Sequence, residues 1–246
     1  MQYVSWSSLS KEAFILSKSV HIWKIEYAAF SGEEEKIQRV LNNNEIARAN
    51  KFHYPIDRKR YSVTRALLKI ILGNVINKDP LDIDFTYNAH GKPLLKNHTT
   101  VYFNVSHSAE LGLIAVSDLP CLGVDIEKHR TRIDCVKLAK RFFSENEQIS
   151  FLKLADSQKT EGFFYGWTRK EALIKALGLG LAMPLKNFDV KLEPGSNAEL
   201  LNIRYKSEHS ADWTIKNIVL DNDYAAAYAV KARDFNDSFW SSAGLI

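Results

Sequence analysis

The stretch Val101–Glu127, VYFNVSHSAELGLIAVSDLPCLGVDIE, decides the fold class. It contains three short apolar segments, Val101–Val105, Leu111–Ser117 and Leu122–Glu127, each bounded by polar, Gly or Pro residues that favour turns. A parallel crossover needs a dozen or more residues, usually a helix, and no such segment separates these strands. Helices do not separate every strand, so antiparallel pairing is expected. That predicts an α+β (α/β) architecture rather than a doubly wound parallel sheet.

Outward from this stretch, strands and helices mix in both directions. Val20–Ile25 and Ile83–Tyr87 read as strands before it, and Phe188–Leu192, Trp213–Leu220 and Tyr224–Val230 after it. Helices are predicted over Glu33–Leu41 and Arg58–Ile76, where Tyr61, Leu68, Ile71 or Leu72, and Val75 recur at helical spacing. A further helix is predicted over Ile133–Phe143. Ser144-Glu145-Asn146-Glu147 is a Ser-x-x-Glu capping box that opens another. Thr160–Leu177 reads as a long helix with Gly178 at its stop. There is no sequence repeat and no polar linker; Leu119-Pro120 is the best internal break.

Composition narrows the function classes. The chain has 246 residues, 46% hydrophobic and 25% charged, which fits an ordinary globular protein rather than a disordered or fibrous one. It is long enough for one large domain or two of roughly 100 to 130 residues. Lys and Arg number 33 against 29 Asp and Glu, a formal charge of +4 without a dominant basic block. That favours a local anionic ligand or an acidic partner over nucleic acid. Cys121 and Cys135 form neither a disulfide framework nor a CxxC site, so a reducing compartment is expected. Met1–Trp6 lacks the basic and apolar regions of a leader, and no apolar run approaches the roughly 18 residues of a membrane span.

Several motifs could carry chemistry. In Gly123-Val124-Asp125-Ile126-Glu127 the strand period of two puts Asp125 and Glu127 on one face and Val124 and Ile126 on the other. Such a pair is either a solvated acidic edge or half of a hard-cation site, since Mg²⁺ prefers carboxylate, water and phosphate oxygens. In Trp167-Thr168-Arg169-Lys170-Glu171-Ala172-Leu173-Ile174-Lys175, Glu171 and Lys175 share a helix face. They make a surface ion pair, or a third metal carboxylate and a phosphate clamp. Phe103–Ser108 reads as a strand running into a Ser-His-Ser turn whose hydroxyl and imidazole groups can bind phosphate oxygens. No Gly-x-Ser-x-Gly elbow and no phosphate-binding glycine loop is present, so a phosphate would be held by side chains. His90-Gly91-Lys92-Pro93 is a turn with a basic tip, and Arg58, Ser62, Arg65 and Lys69 form a basic helical stripe or simply a solvated face.

Taken in order, Gly91-Lys92-Pro93, Phe103–Ser108, Gly123–Glu127, Lys140-Arg141-Phe142-Phe143 and Trp167–Lys175 resemble the signature series of the Sfp-type 4′-phosphopantetheinyl transferases. The similarity runs from about Val20 to Val230. Arg48-Ala49-Asn50-Lys51-Phe52 and the Phe239-Trp240 ending add a resemblance to cyanobacterial members. The resemblance implies two similar halves, residues 1–119 and 120–246, related by a pseudo-twofold axis with the active-site cleft between them. It also implies a reaction: coenzyme A donates its phosphopantetheine arm to a serine of an acyl or peptidyl carrier protein, releasing 3′,5′-ADP, with Mg²⁺ as cofactor. By the same resemblance Asp125, Glu127 and Glu171 are the metal carboxylates, and Lys175 contacts the diphosphate. Ser106 and His107 contact coenzyme A phosphates, while Lys92 and Arg48 contact its nucleotide end. Glu171 and Lys175 are the expected catalytic pair. Arg58, Arg60, Arg65 and Lys69 receive no role. The resulting expectation is a monomeric cytoplasmic enzyme serving fatty acid, polyketide or nonribosomal peptide synthases, with neither nucleic acid nor membrane as partner.

Overall fold

Local sequence signals set the boundaries of most elements in the computed structural model, which describes residues 5–130, 132–220 and 223–246. Met1 to Val4, part of the segment scanned for a leader, lie outside the described residues. The first half runs β1 (Ser19–Glu26), α1 (Glu34–Val40), α2 (Asn43–Ala49), α3 (Pro55–Ile76), a small hairpin β2 (Phe85–Tyr87) and β3 (Pro93–Leu95), then β4 (Tyr102–Ser108) and β5 (Leu111–Ser117). The second runs β6 (Gly123–Lys128), α4 (Cys135–Phe142), α5 (Glu145–Leu152), α6 (Asp156–Leu177), a small hairpin β7 (Phe188–Val190) and β8 (Leu200–Ile203), then β9 (Thr214–Asn217) and β10 (Tyr224–Val230). A last strand, β11 (Asn236–Ser241), follows.

The two strings are one topology written twice. Each is a strand, two short helices, a 22-residue helix, a small hairpin and a closing antiparallel pair. The sheets agree: β1-β5-β4 in one half matches β6-β10-β9 in the other, all antiparallel as expected for an α+β fold. β11 returns to pair in parallel with β1, Ile22 opposite Phe239, and covers an edge that would otherwise expose unpaired amides.

Packing follows strand alternation. Each half has its own core under its long helix, and a third apolar cluster joins Val20, Ile22, Leu113 and Ala115 of one sheet to Val124, Ile126, Ala226 and Tyr228 of the other. On the helix-facing side of β1 stand Trp23 and Ile25, fully buried. The corresponding side of β6 carries Asp125 and Glu127 instead, so only the second half offers carboxylates to its helix.

α6 lies close on β6 and β10 because the strands supply small side chains. Ala225, Ala227 and Ala229 line β10 beneath it, and Gly123 opens β6. A Cβ at Gly123 would overlap the Ala172 carbonyl oxygen and the Ala176 amide nitrogen, both helix backbone that cannot swing aside. Gly123→Ala is therefore expected to destabilise the fold by about 1 to 3 kcal/mol. Because it displaces the helix carrying Glu171 and Lys175, turnover should fall more than denaturant midpoints alone account for. Unchanged stability and turnover would show that α6 has slack.

Several elements differ from the sequence expectations. α3 and α6 begin three to four residues earlier than the periodic pattern, at Pro55 and Asp156, because Pro at N1 and Asp in the first turn suit a helix start. The Ser106-His107-Ser108 segment is not a turn: it is the end of β4, and the reversal lies at Ala109 and Glu110, with Ala109 at φ 49°. α2, β3, β8 and β11 are absent from the sequence expectations; the three strands are held by pairing, and α2 by its capping box and its packing on α3. No helix among the described residues is long and apolar enough to cross a membrane.

Candidate active site

β4 and β6 meet edge to edge without a backbone ladder. Instead, alternate side chains of β4 bond to alternate amides of β6: Val124 N–H donates to Asn104 Oδ1 (2.8 Å), Ile126 N–H to Ser106 Oγ (3.3 Å) and Lys128 N–H to Ser108 Oγ (3.1 Å). Asn104 and Ser108 were missed from the sequence, although polar residues at i, i+2 and i+4 on a strand mark one polar face. The same hydroxyls orient the carboxylates. Ser106 Oγ donates to Asp125 Oδ1 (2.9 Å) and Ser108 Oγ to Glu127 Oε2 (2.9 Å).

α6 closes the site from above. Lys175 Nζ donates to Asp125 Oδ1 at 2.6 Å, to Ser106 Oγ at 2.9 Å and to the Val124 carbonyl at 3.2 Å, which satisfies its three N–H groups. Glu171 lies one turn back on the same helix face. Burial, and then the neighbouring Asp125 charge, push the carboxyls of Glu171 and Glu127 above the usual range. The structure thus brings Asp125, Glu127, Glu171 and Lys175 into one electrostatically coupled cluster, as the spacing suggested.

The cluster suits a hard cation. Asp125 Oδ2 is buried and has no hydrogen-bond partner, although its carboxylate is 4% exposed. An orphaned buried carboxylate oxygen among two further crowded carboxyls is a place where added positive charge is stabilising. As the side chains lie, no three His, Cys, Asp or Glu groups among the described residues are gathered closely enough to enclose an ion. Lys175 and Ser106 occupy Oδ1 of Asp125, which leaves Oδ2 as its unpartnered oxygen. We conclude that the donor set fits Mg²⁺ in chemistry.

His107 points to the opposite side of β4 from Ser106. It lines a cavity of about 230 Å³ with Arg48, Phe52, Arg60, Tyr61 and Arg65. Burial, followed by the charges of Lys175 and Arg60, lowers the His107 pKa and favours the neutral imidazole. Ser106 and His107 are adjacent on β4, so the carboxylate cluster and the cavity lie on opposite faces of one strand. Arg48 lies over the Tyr61 ring at 5.4 Å and donates to Tyr87 Oη at 3.3 Å; Arg65 lies over Phe85 at 4.4 Å. Of the basic helical stripe, Arg65 enters this cavity, while Lys69 is fully buried behind it rather than solvated. Arg60, outside the stripe, also faces the cavity and pairs with Asp57 and Glu110.

Lys92 lies elsewhere than its tip position suggested. Its ammonium turns inward to the carbonyls of Leu122 (2.9 Å) and Ala176 (3.1 Å), and burial lowers its pKa to about 8. Asn88 of the same turn donates to the Gly178 carbonyl at 2.8 Å, so the β2–β3 hairpin is tied to the C-terminal end of α6. A cation at helix C-terminal carbonyls is electrostatically favoured. A groove of about 810 Å³ along the free edge of β9 contains none of these residues. Of the expected site residues, Arg48 and His107 line the smaller cavity.

Comparison with known proteins agrees with this geometry. Residues 26–118 match the model of the 4′-phosphopantetheinyl transferase N-terminal family, and residues 121–229 match that of the 4′-phosphopantetheinyl transferase superfamily. The chain is 34% identical to the 4′-phosphopantetheinyl transferase HetI of Nostoc sp., over 96% of this chain and 98% of that protein. It is 29% identical to the 4′-phosphopantetheinyl transferase Sfp of Bacillus subtilis, over 82% of this chain and 88% of that one. With both halves matched in order and a relative aligned end to end, the chain belongs to the 4′-phosphopantetheinyl transferase superfamily.

Proposed function

We propose that this protein transfers the 4′-phosphopantetheine arm of coenzyme A to a serine hydroxyl of an apo acyl or peptidyl carrier protein, releasing 3′,5′-ADP in a Mg²⁺-dependent reaction. The observation that carries the reading is the coupling of Asp125, Glu127, Glu171 and Lys175 beside a cavity walled by Arg48, Arg60, Arg65 and His107. A nucleotide bisphosphate needs cations along its length, and an attacking hydroxyl needs a base at one end; the two sides of β4 supply both.

Asp125, Glu127 and Glu171 are the residues that would hold the metal. When bound there, Mg²⁺ neutralises charge on the diphosphate. The serine oxygen forms a new bond to phosphorus as the bridge to 3′,5′-ADP breaks, and the serine proton must leave. Glu171 is the carboxylate we assign to that proton, because burial raises its proton affinity toward the working pH. Lys175 neutralises the oxygens that gain charge as 3′,5′-ADP departs, while Ser106 keeps the ammonium and Asp125 in register. Arg48 and His107 take the phosphates of the nucleotide end. Lys92 supports this end through the hairpin it anchors rather than through its own ammonium.

An apolar hollow beside Glu127, lined by Ile133, Leu138, Phe163, Phe164 and Trp167, offers a dry surface next to the transferred group. A cytoplasmic monomer is the form we propose, since Cys121 and Cys135 are both free and one chain supplies both sides of the cleft. Incubation with coenzyme A, Mg²⁺ and apo carrier proteins of fatty acid, polyketide and nonribosomal peptide synthases tests the reading directly. The expected result is a carrier heavier by one phosphopantetheine group, dependent on its serine. Release of phosphate or nucleotide with no change in carrier mass would instead indicate a hydrolase built on the same carboxylates.

A further inference from the structure

Behind the cationic cavity lies a buried charged pair that the reaction does not use. Glu45 is the third residue of α2, and its Oε2 accepts the Asn42 amide at 3.0 Å in a reciprocal capping box. The same oxygen accepts Lys69 Nζ at 3.2 Å, from a lysine side chain with no exposure. Its other oxygen lies 3.8 Å from Arg65 Nε, too far for a hydrogen bond. Tyr61, Arg65 and Lys69 are spaced four apart on one face of α3, and Arg48 is one turn after Glu45 on α2. Arg48 and Arg65 approach the Tyr61 ring at 5.4 and 5.7 Å.

A lone buried carboxylate beside a guanidinium would form a short bidentate pair with it. Here Lys69 and the Asn42 amide share Oε2 of Glu45 and offset its charge, and the Arg65 guanidinium stays over Phe85, where the residue lines the cavity. We propose that Lys69 is a positioning residue: it holds the Glu45 carboxylate so that Arg65 remains free to bind a phosphate of the nucleotide substrate. The inference rests on the cavity being the nucleotide site proposed above.

Replacing Lys69 then acts through capture of Arg65, and removing the captor should reverse it. Calorimetric titration of the full chain with coenzyme A, without a carrier, reads this out. Lys69→Met is expected to weaken the dissociation constant by about tenfold, the scale of one charge-assisted hydrogen bond. The double variant Glu45→Gln with Lys69→Met should return to within about twofold of the parent, a coupling that a double-mutant cycle isolates. Glu45→Gln alone should bind at least as tightly as the parent. Equal weakness of the single and double Lys69 variants, unchanged binding by Lys69→Met, or weaker binding by Glu45→Gln alone would each overturn the inference. If the parent protein itself fails to bind coenzyme A, the nucleotide-site reading falls and takes this inference with it. If the parent binds and Lys69→Met binds equally, only the inference falls. Thermal melts of all three variants separate loss of fold from loss of positioning.

Discussion

Glu171→Gln is expected to lower turnover by about 10²- to 10⁴-fold, the usual contribution of a positioned general base, while coenzyme A affinity changes little. The split follows from placement. Glu171 shares the cluster with Asp125, Glu127 and Lys175, whereas the groups assigned to the nucleotide line the far side of β4. The amide keeps the side chain's shape but carries no negative charge and accepts no proton. Steady-state kinetics on an apo carrier, with coenzyme A binding measured separately, check it. Near-normal turnover in Mg²⁺ would remove Glu171 from both the base and the metal-ligand roles; an equal loss in binding and turnover would place it on the nucleotide.

Lys170→Met should lower folding stability by about 3 to 5 kcal/mol, the cost of leaving a buried charge without its partner. Lys170, adjacent in sequence to Glu171, turns to the opposite side of α6. Its ammonium donates to both Glu147 oxygens (2.6 and 2.7 Å) and to the Phe188 carbonyl (2.7 Å), and both side chains are essentially unexposed. Glu147 also accepts the amides of Ser144 and Val190, so one carboxylate joins the start of α5, the middle of α6 and β7. Burial lowers the Lys170 pKa to about 8 and raises that of Glu147. Replacing both residues, Glu147→Leu with Lys170→Met, should cost less than the lysine change alone because no charge is then stranded. In thermal melts the single variant should lose on the order of 10 °C. A loss below about 1 kcal/mol would mean the pair is replaceable by packing.

These two neighbours illustrate what a linear reading resolves. Trp167–Lys175 identified a helix face carrying Glu171 and Lys175, because a period of 3.6 puts i and i+4 together wherever the helix sits. The same reading had no means to assign Lys170, whose partner is 23 residues away on another helix. Likewise the alternation in Gly123–Glu127 separated Asp125 and Glu127 from Val124 and Ile126, and the structure keeps that separation. The capping boxes tell the same story at short range. Ser144–Glu147 was legible from its spacing, while the equivalent at Asn42–Glu45 begins with Asn and was not noticed.

Misjudged positions share one cause: a side chain's environment is set by what packs over it. Lys92 sits on a turn whose composition suggests an exposed cation, yet carbonyls from β6 and α6 converge on it. Lys69 belongs to a stripe that reads equally well as a solvated face, and becomes a buried partner of Glu45 once α2 docks on α3. Ser106–Ser108 has turn-favouring residues but continues β4, because β5 supplies backbone partners through Leu111.

Periodicity, capping and residue chemistry are properties of neighbours along the chain, so the sequence by itself determined the long helices, most strands, the α+β class and which carboxylates and lysine share a face of β6 or α6. The repeated topology leaves no repeat in the sequence and is implied there by the family resemblance alone, since two halves can share a path while packing different side chains, as Trp23 and Ile25 against Asp125 and Glu127 show. Only the tertiary structure decided which cations line a cavity and which are buried against partners in the fold. That choice depends on burial and on partners tens of residues away, where desolvation makes an unpaired charge too costly to leave alone.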